Sequence, residues 1–227
     1  MLKLIRQSCR DLLIRPSCPI CSAEIVSHPR EQHPCQACCQ ALGLGAHPCH
    51  GRDPLPWIAA GLYQGRLREK LLQLRSSGNL RQLRALSAGL RERLPAEALL
   101  VPIPSWKHRS RANPLPALIC QSLERSTREF LERTSAGMGQ HHLRARQRLD
   151  NQRSAFKATA LATEVATNTK AIGAADRMAP LWIVDDILTT GATALAAMTA
   201  LQTAGLTVHG LICLARTPRK LPRSGTS

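Results

Sequence analysis

Aromatic residues are scarce in this sequence: three Trp, one Tyr and two Phe among 227 residues, or 3%. A hydrophobic core therefore has to be built from Leu, Ala, Ile and Val, which the 44% hydrophobic content supplies. The same scarcity argues against a protein that holds single-stranded nucleic acid mainly by stacking bases on aromatic rings.

Long apolar runs are also missing, since crossing a bilayer takes roughly 20 consecutive apolar residues. Met1–Arg15 mixes Leu and Ile with charged residues, which predicts a short amphipathic helix rather than a signal peptide. We therefore expect a cytoplasmic protein. In that reducing compartment, paired cysteines bind metal more often than they form disulfides.

Acidic residues are few: 15 Asp and Glu stand against 31 Lys and Arg, for a net charge of +16. The excess is concentrated in Arg66–Arg93 and Lys107–Arg153. Such a charge fits a phosphate-rich partner, namely nucleic acid, a nucleotide or pyrophosphate. Solvated helix faces are the alternative interpretation of both stretches.

Cysteine, by contrast, is concentrated at one end, with seven of the nine within residues 1–55. Cys18-x-x-Cys21 and Cys35-x-x-Cys38 are separated by thirteen residues, a spacing that fits a closed, tetrahedral structural zinc site. Because this region has no long periodic segment, it would need the metal to fold. Reduced thiols without metal are the alternative. Four further residues could replace one of these zinc ligands or support the ligands from outside the site: Cys39, Cys49, His47 and His50.

The remaining chain divides by its pattern into a helical connecting segment (56–96), an α/β domain (97–217) and a polar tail (218–227). Apolar strands are predicted at Ala98–Pro104, Ala179–Val184 and Leu206–Ala215, and helices at Leu115–Leu131 and Ala192–Ala204. Alternating strands and helices predict a parallel sheet with helices on both faces.

One segment, Trp182–Thr193, carries most of the functional signal. An apolar strand leads into two acids, then into a turn rich in Thr and Gly, and then into a helix. Helix N-termini attract phosphate, and the carboxyl ends of parallel strands are where open α/β sheets bind ligands. A ligand bearing both phosphate and ribose hydroxyls fits this combination. The residues concerned are Asp185, Asp186, Thr189, Thr190, Gly191, Ala192 and Thr193.

Val184–Thr193 resembles the phosphoribosyl-pyrophosphate signature of type I phosphoribosyltransferases. Further motifs make the whole chain similar to the ComF/GntX family of competence-related proteins. These motifs are Val101–Pro104, Gln140-x-x-Leu143, Arg148-x-x-Asn151, Ala155-Phe156, Ala204-Gly205 and Leu214-Ala-Arg216.

The resemblance implies a type I phosphoribosyltransferase fold with an amino-terminal, zinc-ribbon-like module. It implies that Asp185 and Asp186 hold the ribose hydroxyls or face Mg²⁺, and that the Thr-rich loop holds the 5′-phosphate. The same fold would bring Lys107, Arg109 and Arg111 to the pyrophosphate. Partners implied are phosphoribosyl pyrophosphate or a nucleotide, single-stranded DNA and competence proteins; the chain could also form an oligomer.

The sequence departs from the family where Arg111-Ala-Asn-Pro-Leu-Pro116 replaces an Arg-Gly-Phe-Asn-Gln segment. Two prolines stiffen this loop, which puts turnover in question but leaves ribose-phosphate binding intact. Three functions stay open: a phosphoribosyl-transferring enzyme, a DNA-binding factor, and a sensor in which ribose-phosphate binding regulates a partner.

Overall fold

A single mixed β-sheet organises the computed structural model of the protein, which describes residues 16–25, 33–105, 113–134, 155–172 and 179–218. Its strands are β1 (Cys49–Gly51), β2 (Trp57–Leu62), β3 (Leu99–Pro102), β4 (Ser126–Thr127), β7 (Leu181–Val184), β8 (Ile187–Leu188) and β9 (Val208–Arg216), while β5 (Leu131–Arg133) and β6 (Phe156–Ala158) form a separate pair. Within the described residues the strand order in the sheet is β1-β2-β9-β7-β3-β4, and β8 also pairs with β9.

Every pairing in this sheet is parallel except that of β1 with β2. The predicted parallel sheet is therefore a mixed, mostly parallel one, with an antiparallel strand at this edge. Only the five residues 52–56 join β1 to β2, and so short a connection can join antiparallel neighbours but not parallel ones.

Helices cover both faces of the sheet, as the sequence predicts. They are α1 (Gln36–Leu42), α2 (Gly65–Ser77), α3 (Leu80–Leu86), α4 (Ala88–Arg93), α5 (Leu115–Leu123), α6 (Ala160–Ile172) and α7 (Ala192–Thr203). One apolar cluster joins α2–α5 to Val184 and Ile212, and the other joins α6 and α7 to Ile183 and Leu211. Consecutive strand residues serve opposite clusters because side chains alternate along a strand.

Two helix predictions are corrected by the structure. Residues 57–62 form strand β2 rather than the start of a helical segment, and β2 pairs with β9 inside the sheet. A short apolar run such as this one fits a buried strand as well as a buried helix.

The helix predicted over Leu115–Leu131 ends at Leu123, because Glu124 adopts a left-handed backbone conformation with φ 55°. The chain then forms β4 and the first strand of a separate antiparallel pair. That pair consists of β5 (Leu131–Arg133) and β6 (Phe156–Ala158).

The amino-terminal module packs against the helices that follow the first strands. The Arg81 guanidinium on α3 donates to the Ser17 carbonyl at 3.0 Å and to its hydroxyl at 3.1 Å. His33 lies 3.5 Å from Glu92 near the end of α4. The predicted helix Met1–Arg15 and most of the polar tail (219–227) lie outside the described residues. None of the helices in the described part of the chain combines the length and apolar character that crossing a membrane requires.

Candidate ligand site and cysteine cluster

The candidate ligand site lies where β3 and β7 end beside β9, which continues to Arg216. β7 runs between the other two, and the carbonyl of its last residue, Val184, accepts a hydrogen bond from Ile103 at 2.9 Å. On the other side Asp185 N–H donates to the Ile212 carbonyl at 3.0 Å. Three parallel strands therefore fix the backbone from which the paired acids project.

The two acids have different surroundings. The Asp186 side chain is 6% exposed, and its Oδ2 accepts hydrogen bonds from Arg75 and Asn113. The Asp185 carboxylate accepts the N–H of Asp186 at 2.8 Å. The Asp186 carbonyl in turn accepts the N–H groups of Leu214 and Ala215 on β9.

Asp185 is held in an environment that disfavours its charge. Burial and then the neighbouring charge of Asp186 raise its pKa from 3.8 to about 7. The Arg133 guanidinium at the end of β5 acts in the opposite direction. Arg133 itself donates to the Pro104 carbonyl at 2.8 Å and lies over the Phe156 ring at 4.5 Å. A carboxyl group whose pKa is raised in this way is stabilised in its ionised form by a ligand that brings a cation or hydroxyl donors.

The loop that follows β8 exposes its threonines and turns at a glycine. Thr189, Thr190 and Thr193 are exposed, Ala192 is half-buried, and Gly191 is buried with φ 85°. A Cβ on Gly191 would lie 2.9 Å from Pro54 Cδ and closer still to its Cγ. Only glycine fits both this conformation and this space.

Helix α7 begins at this loop, and its N-cap residue is Gly191, which has no side chain that could cap it. The Thr190 hydroxyl accepts the Ala192 N–H at 3.4 Å. The first turn of an α-helix has N–H groups without intrahelical partners and carries a partial positive charge. The arrangement can hold an anion such as a phosphate.

A buried arginine supports the loop from beneath. Arg216, the last residue of β9, is 7% exposed and donates to the carbonyls of Leu188 and Thr189. Its guanidinium carbon lies 5.8 Å from the centre of the Trp57 ring. The neighbouring Thr217 N–H also donates to the Leu188 carbonyl, at 2.9 Å. The loop is thus tied to the end of the longest strand.

Three predicted ligand residues, Lys107, Arg109 and Arg111, lie outside the described residues. The same is true of the motif residues Gln140, Leu143, Arg148 and Asn151.

The four cysteines of the predicted metal site come together. Their sulfur atoms all lie within 4.8 Å of one another. The Sγ atoms of Cys18 and Cys38 are 3.8 Å apart, and so are those of Cys21 and Cys35. Four thiolates at about 2.3 Å from one zinc ion stand about 3.8 Å from each other. The cluster can therefore hold a metal ion such as zinc.

Two kinds of local structure present these sulfurs. The first pair lies in a tight turn closed by Cys18 N–H on the Ala23 carbonyl and Ser22 N–H on the Cys18 carbonyl, each at 2.9 Å. The second pair lies at the start of α1, where Cys35 is the N-cap residue and Cys38 is in the first turn.

Thiolate chemistry is favoured at one of the four positions. Burial raises the pKa of Cys18, but backbone N–H donors led by Cys35 outweigh it and lower the pKa to about 6. Cys35 N–H lies 3.3 Å from the Cys18 sulfur, and Ile20 N–H lies 3.4 Å from it. The thiolate is the form that binds metal.

The other candidate ligands lie apart from this cluster. Among the described residues the metal-binding group consists of the four cysteines alone. The Cys39 thiol donates to the Pro34 carbonyl, while Cys49 and His50 belong to β1. Cys120 and Cys213, the two cysteines outside the amino-terminal region, are buried in the core.

Sequence reasoning missed Arg75, Asn113 and Arg133 as parts of the site. Nothing in the pattern of α2 separates Arg75 from its exposed neighbours Arg66 and Arg68. Arg216 did have a signal, because it closes the Leu-Ala-Arg motif on which part of the family resemblance rests.

A comparison of the chain with models of protein families finds no match, and a comparison with curated proteins finds none either.

Proposed function

We propose that the protein binds a ribose-5-phosphate group with Mg²⁺, as phosphoribosyl pyrophosphate carries it, in the manner of ComF-type phosphoribosyltransferase-like proteins. One observation carries the proposal: a largely buried acidic pair and the N-terminus of a helix follow one another at the carboxyl end of a central parallel strand. A phosphate suits the helix N-terminus, and ribose hydroxyls or a hydrated cation suit the carboxylates.

The proposed division of labour follows from the chemistry of each group. Thr189, Thr190 and Thr193 add hydroxyl donors around a 5′-phosphate, while Gly191 allows the backbone to approach it. The acidic pair accepts hydrogen bonds from the ribose hydroxyls, at least through Asp185. Magnesium, when bound beside Asp185, would neutralise part of the pyrophosphate charge. The basic residues Lys107, Arg109 and Arg111 remain proposed pyrophosphate contacts on resemblance alone.

Calorimetric titration with phosphoribosyl pyrophosphate and Mg²⁺ at physiological salt tests the proposal. We expect micromolar binding and its loss in Asp185→Asn. Glu97→Gln is the matched control, because it removes one exposed carboxylate elsewhere on the protein. An absence of binding by the unsubstituted protein would refute the proposal.

Binding alone does not distinguish an enzyme from a sensor. As an enzyme, the protein would transfer the phosphoribosyl group, with catalysis mainly by positioning and electrostatic stabilisation of the leaving pyrophosphate. Incubation of bound phosphoribosyl pyrophosphate with purine and pyrimidine acceptors, followed by assay of pyrophosphate release, separates the two. Binding of phosphoribosyl pyrophosphate without release of pyrophosphate in the presence of any acceptor favours the sensor.

We also propose that the four-cysteine cluster is a structural zinc site. The evidence is the closed set of four sulfurs, which leaves no position for a substrate. Such a site stabilises a module that has little core of its own.

Nucleic-acid binding is the second candidate function, and one surface favours it. A cavity of about 330 Å³ separates the cysteine cluster from α2, and its lining includes Arg66 and Lys70. Arg68, on the same helix, is exposed. Binding of single-stranded DNA that weakens steeply with salt, and that weakens in Arg66→Gln, would support this function. Binding unaffected by salt would contradict it.

A further inference from the structure

The carboxylate of Asp186 is already saturated on one side. Its Oδ2 lies 2.9 Å from Arg75 Nε, 2.8 Å from Arg75 Nη2 and 2.8 Å from Asn113 Nδ2. A carboxylate oxygen offers about two lone-pair positions, so the hydrogen bonds from Arg75 Nε and Asn113 Nδ2, with Arg75 Nη2 in ion-pair contact, leave Oδ2 no capacity for a ligand. The Arg75 side chain, in contrast, is 39% exposed.

These donors come from two separate elements. Arg75 lies in the last turn of α2. Asn113 precedes α5, accepts the Leu115 N–H on its own Oδ1 at 3.2 Å, and donates its backbone N–H to the Ser105 hydroxyl at 3.0 Å. Hydrogen bonds therefore hold both the side-chain amide and the backbone N–H of Asn113. Asp186 is the point at which α2, the start of α5 and the end of β7 meet.

Asp185 is oriented through its neighbour. The donor to its carboxylate within the described residues is the Asp186 N–H, at 2.8 Å. The Asp185 N–H donates to the Ile212 carbonyl and the Asp186 carbonyl accepts two N–H groups of β9, so the backbone on both sides of the Asp185–Asp186 peptide is held. The two acidic side chains also act on each other directly, so a displaced Asp186 side chain changes the surroundings of the Asp185 carboxylate.

We propose that the two acids have unequal roles: Asp185 contacts the ligand, whereas Asp186 is a positioning residue that Arg75 and Asn113 hold in place. Arg75 then supports ligand affinity without touching the ligand. This inference rests on the proposed ribose-phosphate function, and it names the residue outside the signature on which that site depends. Without the guanidinium, the buried carboxylate loses its cation and one of its two hydrogen bonds, which forces it to move.

The test is a pair of substitutions that removes both charges and keeps one hydrogen bond. A Gln at position 75 places its amide nitrogen about where Arg75 Nε lies, so it can donate to the amide oxygen of an Asn at position 186. We expect Arg75→Gln and Asp186→Asn each to weaken binding of phosphoribosyl pyrophosphate and Mg²⁺ at least about tenfold. The combined variant should return to within about threefold of the unsubstituted protein.

Two controls accompany the pair. Arg93→Gln removes the same charge from an exposed position in helix α4 and should leave Kd unchanged. Asp185→Asn should abolish binding in every background. All titrations are run at temperatures where urea unfolding shows each variant to be folded. Under these conditions, substituting a residue that only stabilises the fold would leave Kd unchanged.

The outcomes separate this inference from the proposed function. If the unsubstituted protein does not bind, the proposed function fails and takes this inference with it. If it binds but the combined variant is as weak as Asp186→Asn, then Asp186 contacts the ligand and only the inference fails. An unchanged Kd for the Arg75→Gln variant would also overturn the inference.

A crystal structure of the unsubstituted protein with phosphoribosyl pyrophosphate and Mg²⁺ gives a second measurement that needs no variant. We expect ribose hydroxyls or the metal on Asp185, with Arg75 and Asn113 still bonded to Asp186. A ligand atom on Asp186 Oδ2 with Arg75 released would overturn the inference.

Discussion

Replacing Gly191 with Ala tests the conformation of the candidate phosphate loop most directly. Gly191 has φ 85°, and an added Cβ would lie 2.9 Å from Pro54 Cδ and closer to its Cγ. Carbon atoms in ordinary contact stand about 3.5–4.0 Å apart, and a proline ring cannot rotate away. The left-handed conformation costs a non-glycine residue about 1–2 kcal/mol, and overpacking costs about 1–3 kcal/mol. We therefore expect Gly191→Ala to lose about 2–5 kcal/mol of folding free energy.

Gly65→Ala provides the matched control. Gly65 also has a positive φ, of 48°, but an added Cβ would meet nothing within 4 Å. Its expected loss is the backbone strain alone, about 1–2 kcal/mol. The difference between the two variants isolates the contact with Pro54.

Urea unfolding followed by circular dichroism measures both losses on one scale. Each kcal/mol should also lower Tm by about 2–4 °C for a chain of this size. Equal losses for the two variants would refute the reasoning, because the loop would then have room for a side chain. This result does not depend on which ligand, if any, the loop binds.

Three further predictions concern the metal cluster, the acidic pair and the buried arginine. Protein purified under reducing conditions without chelator should contain about one zinc ion per chain by elemental analysis, and Cys18→Ser should lose it and unfold the amino-terminal module. Asp185→Asn should gain stability relative to the unsubstituted protein as pH rises from 5 to 8. The reason is that burial and the Asp186 charge raise the pKa of Asp185 to about 7, so folding stability falls as pH rises toward 7 and this group ionises. Arg216→Gln should lose about 2–4 kcal/mol in urea unfolding, because the guanidinium donates charge-assisted hydrogen bonds to two loop carbonyls.

Each of these has a control or an opposing outcome. Cys39→Ser should retain the metal, since its thiol lies outside the cluster; a protein that contains no zinc would contradict the metal assignment. For Asp185→Asn, a stability difference that does not change between pH 5 and 8 would show that the carboxyl titrates near its ordinary value. For Arg216, stability equal to that of the unsubstituted protein would show that water replaces the arginine without cost.

Several features follow from local pattern and were predictable. The cysteine cluster follows from two Cys-x-x-Cys pairs, because each pair brings two sulfurs together within one turn of chain. The fold then has only to bring the two pairs together across the thirteen residues that separate them. Strand β7 and helix α7 follow from a short apolar run and a run of small residues on either side of a Gly. Their neighbours along the chain decide their structure, so the sequence suffices.

Other features depend on distant contacts and were mispredicted. Trp57–Leu62 has an apolar composition that fits helix or strand, and its pairing with β9, some 150 residues away along the chain, makes it a strand. The end of α5 at Glu124 is another case. There Arg125 donates to the carbonyls of Pro95, Arg91 and Leu94 and fixes the turn through residues about 30 positions distant.

The sequence by itself determined which residues stand next to one another in the candidate site: two acids, a threonine turn and a glycine ahead of a helix. It also determined that four sulfurs could converge, since spacing within a short module controls that. Only the tertiary structure distinguished Asp185 from Asp186. The difference between them comes from Arg75, more than 100 residues earlier, and from Asn113, and no local pattern encodes which of many arginines will fold back onto a particular carboxylate.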